Sequence, residues 1–169
     1  MEESTIMENR IIHTPKKQGV EEETVDFLAQ YRAIFHLKPG DAASYSPLVL
    51  AYIGDGVYEL MIRTMIVNRG NMQVSKMHRK SASLVKAETQ AKLIKLLEPE
   101  LTEEEMAVYK RGRNAKSATM AKHATMIDYR MATGFEALIG YLFLAERFIR
   151  MAQVIGWGLE KLGELKSDE

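Results

Sequence analysis

The run Leu48-Val-Leu-Ala-Tyr-Ile-Gly-Asp-Gly-Val-Tyr-Glu-Leu60 sets a carboxylate, Asp55, between two glycines in the middle of an apolar stretch. Such a segment has to pack, and packing strips water from the charge unless a cation or a proton meets it. Glu136 stands in the same predicament in Ala132-Thr-Gly-Phe-Glu-Ala-Leu-Ile-Gly-Tyr-Leu-Phe-Leu144. Two lone carboxylates in two glycine-containing apolar helices have the sequence form of a buried metal site, because hard divalent cations take oxygen ligands and offset the desolvation. Asp55 and Glu136 are thus the candidate metal ligands. Either stretch alone says little; the pair carries the reading.

The rest of the composition narrows the metal. With no cysteine among 169 residues, thiolate sites and disulfides are excluded, and four scattered histidines make zinc a poor fit. A chain that is 46% hydrophobic and 27% charged builds one ordinary domain with a real core. Neither a signal peptide nor a run long and apolar enough to span a bilayer is visible, so the expected location is cytoplasmic and no membrane is expected as a partner. The 23 basic and 23 acidic residues cancel only in the sum. Residues 69–95 hold seven bases against Glu88, residues 106–132 hold six against Asp128, and acids gather in 1–26 and 98–105.

Read in order, residues 1–22 are a polar, aperiodic tail and 23–165 a single domain. Val25, Leu28, Tyr31 and Ile34 predict a short helix ended by Lys38-Pro-Gly40. Ser46-Pro47 starts a second helix running to about Asn68, in which Gly54 and Gly56 beside Asp55 predict close helix contact. Residues 73–97 read as one helix or two, with Leu84, Ala87, Ala91, Ile94 and Leu97 inward and Lys76, Arg79, Lys80, Lys86, Lys92 and Lys95 outward. Thr102-Glu-Glu-Glu105 is a capping box that leads into Lys110-Arg-Gly-Arg-Asn-Ala-Lys-Ser117, read as a compact exposed basic loop suited to phosphate or groove contact. Helix resumes near Tyr129, where Gly140 one turn after Glu136 again admits a second backbone, and continues or bends into 148–162. No strand alternation, glycine-rich phosphate loop or Ser/His/Asp ordering stands out, so the fold class is all-α.

With Asp55 in Leu50-Ala-Tyr-Ile-Gly-Asp-Gly-Val, Glu136 in Phe135-Glu-Ala-Leu-Ile-Gly140 and Arg111-Gly-Arg-Asn-Ala-Lys-Ser117 between them, the chain resembles the ribonuclease III catalytic domain. More narrowly it looks like the short bacterial form, Mini-ribonuclease III, over roughly residues 47–158. The resemblance implies an all-helical homodimer that cleaves double-stranded RNA with magnesium (Mg2+), and for the short form maturation of a large-subunit (23S) ribosomal RNA precursor. It matches Asp55 and Glu136 to the family's metal-binding acids and so implies that they are the catalytic residues. Acids that the full-length family carries seven and four residues before the aspartate, and three before the glutamate, are here Leu48, Ala51 and Thr133. A site of two carboxylates implies one ion held tightly and another recruited with the RNA. Without the separate RNA-binding domain of full-length relatives, the grip falls to Arg79, Lys80, Arg111, Arg113, Asn114, Lys116 and Ser117. A dimer contact is expected beside the Leu48–Leu60 helix.

Two other classes compete. One is a helical dimer that binds RNA without cutting it; the other is an all-α nucleotide pyrophosphohydrolase, which needs facing acids of the Glu-x-x-Glu kind. Glu100–Glu105 read instead as solvent-facing capping residues. Glu59 is expected on the surface or behind the ligands, His78 and His123 toward RNA or solvent, and the eleven methionines and Trp157 in the core or the dimer contact.

Overall fold

A computed structural model describes residues 29–116 and 125–166. The tail, the proposed boundary at residue 23, Ser117 and His123 lie outside the described residues. Described residues up to Gly40 form one unit and those from Asp41 on a second. In the first, residues 29–34 are helical and the turn closes with Leu37 N–H donating to Arg32 O at 2.9 Å and His36 in the left-handed region, φ 53°. The helix therefore stops just ahead of Lys38-Pro-Gly40, as the sequence predicts.

From Asp41 on, a 3-10 turn (Ala42–Ser44) precedes α1 (Pro47–Asn68), α2 (Val74–Val85) and α3 (Ala87–Leu97). A second such turn (Glu98–Glu100) leads to α4 (Glu103–Asn114), α5 (Met126–Leu144) and α6 (Phe148–Lys161). Every described element is helical, so the all-α expectation holds. None of the described helices is long and apolar enough to cross a membrane.

Local chemistry sets the boundaries. Ser46 Oγ accepts from Val49 N–H and Pro47 occupies the first turn of α1, which ends where Gly70 takes φ +123°. The segment 73–97 is two helices, broken at Lys86, whose backbone is extended (ψ 150°). The capping box is present: Glu105 N–H donates to Thr102 Oγ1 at 3.2 Å, and Thr102 N–H donates to Glu105 Oε2 at 2.9 Å.

Glu105 nevertheless departs from the solvent-facing expectation, being 1% exposed. Arg150 from α6 reaches it with Nε at 2.7 Å and Nη2 at 2.8 Å, while its guanidinium lies over the Trp157 ring at 5.0 Å. Burial works against the Glu105 charge, but Arg150 and the Thr102 backbone outweigh it and hold the carboxyl below its ordinary range. Trp157 thus serves packing, and the acid cluster loses a member that a nucleotide site could have used.

The centre of the second unit is α5, packed by α1, α3, α4 and α6. Between Met131 and Leu142 every residue but Glu136 is buried, as expected of a helix apolar nearly all round. It crosses α1 at two glycines. A Cβ on Gly54 would lie 1.8 Å from Glu136 O, and one on Gly140 1.9 Å from Leu50 O. Backbone meets backbone there, which accounts for glycine at both places. Gly56 behaves differently: nothing lies within 4 Å of a Cβ built on it, so the predicted close contact belongs to Gly54 alone.

The basic stretch also differs from expectation. Arg111, Gly112, Arg113 and Asn114 are the last turn of α4 and not a loop. Gly112 is buried against α5, where a Cβ would come within 2.7 Å of Ala137 Cβ and 2.9 Å of Gly134 Cα. A glycine among cations looks like a turn signal in sequence; here it is a helix-packing contact.

Candidate active site

The crossing of α1 and α5 brings Asp55 and Glu136 together. Asp55 follows Gly54, the residue whose missing side chain lets α1 touch the backbone of Glu136 itself. The two carboxylates do not share one environment. Glu136 lies largely inside, whereas Asp55 is on the open side of α1, with Tyr52 83% exposed one turn before it. The expectation that Asp55 itself is deeply buried is therefore corrected: the desolvation falls on Glu136.

The electrostatics follow this division. Burial first, and the Asp55 charge second, push the Glu136 carboxyl up to about 8, against a smaller opposing effect of a hydrogen bond from Gln90 Nε2 to Glu136 Oε1 at 3.1 Å. Asp55 is raised too, by partial burial of its carboxyl and then by Glu59 one turn on. Glu59 is occupied by Arg63, whose Nη2 lies 2.5 Å from Glu59 Oε1 and whose Nε donates to it at 3.0 Å. It sits behind Asp55 and contributes field, in line with its expected secondary place.

A divalent cation fits this arrangement. The ion pairs of the described residues all involve other acids, so no described lysine or arginine neutralises Asp55 or Glu136. A cation between them would offset both the burial of Glu136 and the repulsion between the two charges. Gln90 Oε1 is a buried acceptor without a described donor, as suits a site completed by hydrated ligands. The protein supplies few ligands: no group of three or more His, Asp or Glu side chains gathers among the described residues. Of the positions that carry acids in full-length relatives, Leu48 is exposed, Ala51 is buried, and the Thr133 hydroxyl donates to Tyr129 O at 2.9 Å in its own helix. The remaining coordination of a bound cation would fall to water and phosphate oxygens.

Two basic groups lie on or next to helices that pack against the acid-bearing ones. Arg79 and Lys80 are exposed on α2, which packs on α1. Arg111 and Asn114 are exposed at the end of α4, which packs on α5, and Lys116 is exposed just beyond it. Arg113 is half-buried, its guanidinium 5.5 Å from the Tyr109 ring centre and its Nε donating to Asn114 Oδ1 at 3.3 Å. Cations at a helix C-terminus also complement its dipole, so Arg111 and Arg113 have a structural use in α4.

Gln90 is the site residue that sequence reading missed. It is 1% exposed and touches Glu136, yet it belongs to an α3 face whose other inward positions are Ala91, Leu93, Ile94 and Leu97. A lone amide at an inward position of an apolar stripe was the available signal, since buried polar groups need partners.

Residues 48–147 match the model of the ribonuclease III domain, and the all-helical fold agrees with that match. The chain belongs to the ribonuclease III domain family, whose members are endoribonucleases of double-stranded RNA, and this sets the class of enzyme. Within the family its place is with the short Mini-ribonuclease 3 proteins. It is 49% identical to Mini-ribonuclease 3 of Clostridium tetani, over 68% of this chain and 77% of that protein. To Mini-ribonuclease 3 of Enterococcus faecalis it is 45% identical, over 73% of this chain and 96% of that protein. A protein of Fusobacterium nucleatum solved by X-ray crystallography superposes with a TM-score of 0.65 at 30% identity, covering 74% of this chain and 98% of that one.

Proposed function

We propose that Asp55 and Glu136 hold Mg2+ and that the chain, as a homodimer, cuts duplex RNA of a large-subunit (23S) ribosomal RNA precursor. The observation that carries this is the meeting, where α1 and α5 cross, of two carboxylates that no described lysine or arginine pairs with, one lifted to about 8 by burial and by its neighbour. When bound, the ion supplies Lewis acidity that activates water and neutralises charge on the phosphate and the leaving 3′ oxygen. Asp55, at the open rim, would hold the ion from the side of solvent and RNA, and Glu136, whose carboxyl is largely buried, would hold it from within. The ribosomal RNA assignment rests on the resemblance to the short form. A pyrophosphohydrolase is disfavoured because Glu105 is committed to Arg150.

Arg79, Lys80, Arg111, Arg113, Asn114 and Lys116 are proposed to hold phosphates or a groove. Arg111→Ala and Lys116→Ala are each expected to weaken duplex binding and to reduce the slope of log affinity against log salt by about 1, with Mg2+ dependence unchanged. Arg113→Ala additionally loses its stacking on Tyr109 and with it some thermal stability. Binding isotherms identical to wild type at every salt concentration would make these side chains ordinary solvated surface.

The dimer reading is supported by an unpartnered stripe on α1: Val49, Tyr52, Leu60 and Val67 are all exposed, and Gly56 between them opens onto free space. A two-fold contact along this stripe would present two sites to the opposite strands of one duplex. Leu60→Glu is expected to shift the dimer toward monomer in sedimentation and to cost most of the cleavage. A micromolar monomer that still cuts duplex RNA would contradict the dimer.

A further inference from the structure

The elbow between α2 and α3 is tied by side chains. The last carbonyls of a helix lack partners within it, and here three of them are met from outside α2. Thr89 Oγ1 donates to Ser83 O at 2.6 Å, the Tyr58 hydroxyl donates to Leu84 O at 3.0 Å, and Gln90 Nε2 donates to Val85 O at 2.7 Å. Gln90 Nε2 also donates to Glu136 Oε1 at 3.1 Å. A carboxamide nitrogen carries two hydrogens, so this one group is fully used by one carbonyl and one carboxylate. The amide is buried, and two acceptors, the Val85 carbonyl and the Glu136 carboxylate, hold its nitrogen.

From this bridge we infer that Gln90 is the positioning residue of the active site, holding the Glu136 carboxylate in one orientation and tying it to the elbow that ends α2. The inference rests on the reading of Glu136 as a metal ligand and goes beyond it, because Gln90 need not touch the ion. A ligand whose orientation is fixed by a hydrogen-bonding neighbour loses less freedom when the ion binds, and partners of this kind are worth roughly 10–100-fold in metal affinity. The bridge also links the ligand to the helix that presents Arg79 and Lys80, so the elbow sets the spacing between an RNA-facing surface and the acid pair.

The test is Mn2+ titration followed by electron paramagnetic resonance, in wild type, Gln90→Met, Glu136→Gln and the double variant, with thermal melting and duplex affinity in Ca2+ measured alongside. Gln90→Met keeps the length of the side chain and removes both donors. Its Mn2+ affinity should fall about tenfold while duplex affinity stays within about twofold. In the Glu136→Gln background the same substitution should cost metal binding nothing more, a non-additivity that simple loosening of the core would not produce. Gln90→Asn, which stays polar but is one methylene too short to bridge, should weaken Mn2+ binding as well and replaces Gln90→Met should that protein fail to fold. Wild-type Mn2+ affinity in a folded Gln90 variant, or fully additive losses in the double variant, would overturn the inference while leaving the metal reading intact. Wild-type Mn2+ affinity in Glu136→Gln would instead remove the metal reading itself.

Discussion

Glu136→Gln is expected to lower single-turnover cleavage of duplex RNA about a thousandfold or more, yet to make the metal-free protein more stable at pH 8. The first effect follows from losing one of only two protein ligands, since stabilisation by a metal ion is worth several kcal/mol and each 1.4 kcal/mol is about tenfold in rate. The second follows from the raised carboxyl. Glu136 titrates near 8 in the folded chain against 4.5 as its ordinary value, so between these limits the folded state holds the proton more tightly than the unfolded one. The stability this contributes is complete below pH 4.5 and is lost as pH rises through 8. A neutral glutamine of the same shape carries no such penalty. At about 1.4 kcal/mol for each tenfold change in proton affinity, and with solvent entering past Asp55, we expect a gain of about 2 kcal/mol at pH 8 in chelator. Urea melts at pH 5 and pH 8 should show the wild type losing stability across that interval and the variant nearly flat. Asp55→Asn should match the loss of cleavage with a smaller gain in stability, because Asp55 is exposed. Near-normal turnover by either folded variant would remove the assignment.

Gly140→Ala is expected to destabilise the protein by about 4 kcal/mol or more, beyond the range of most single substitutions. The added carbon would lie 1.9 Å from Leu50 O and 2.9 Å from the Ile53 side chain. A helix carbonyl cannot step aside without moving its helix, so α1 and α5 would have to separate, opening the contact between Tyr58 and Phe135, whose rings meet edge to face at 5.1 Å. Gly54→Ala should behave alike, its Cβ falling 1.8 Å from Glu136 O. Gly156→Ala is the internal control: it too is a helix glycine, but nothing lies within 4 Å of its Cβ, and it should gain about 0.5–1 kcal/mol from helix propensity. Equal melting temperatures for Gly140→Ala and wild type would show that the crossing is looser than described.

Much of this architecture can be read from local rules. Ser46-Pro47 and the Thr102/Glu105 capping box act within one turn, so their sequence form and their structure coincide. The pairing of Asp55 with Glu136 was legible because isolated charges in apolar runs have few outlets. What escaped depends on how helices face one another. Gly54 and Gly56 look equivalent on either side of Asp55, but two positions on a helix are about 200° apart, and only one can face α5. The same geometry left Asp55 at the rim and gave the burial to Glu136. Arg111–Asn114 read as a loop because glycine among cations signals a turn, whereas Gly112 is needed where α4 presses on α5. Glu105 and Gln90 were hidden for a shared reason: their partners Arg150 and Glu136 lie about forty-five residues further along the chain, and no local pattern announces them.

The most direct measurement is anomalous diffraction from crystals of the metal-free protein soaked in Mn2+. One peak per chain is expected between the carboxylates of Asp55 and Glu136, with water completing its coordination, and it should vanish in Glu136→Gln crystals of the same form. A Mn2+ ion seated away from both carboxylates, in a protein that cuts duplex RNA with Mn2+, would contradict the placement of catalysis at the crossing of α1 and α5.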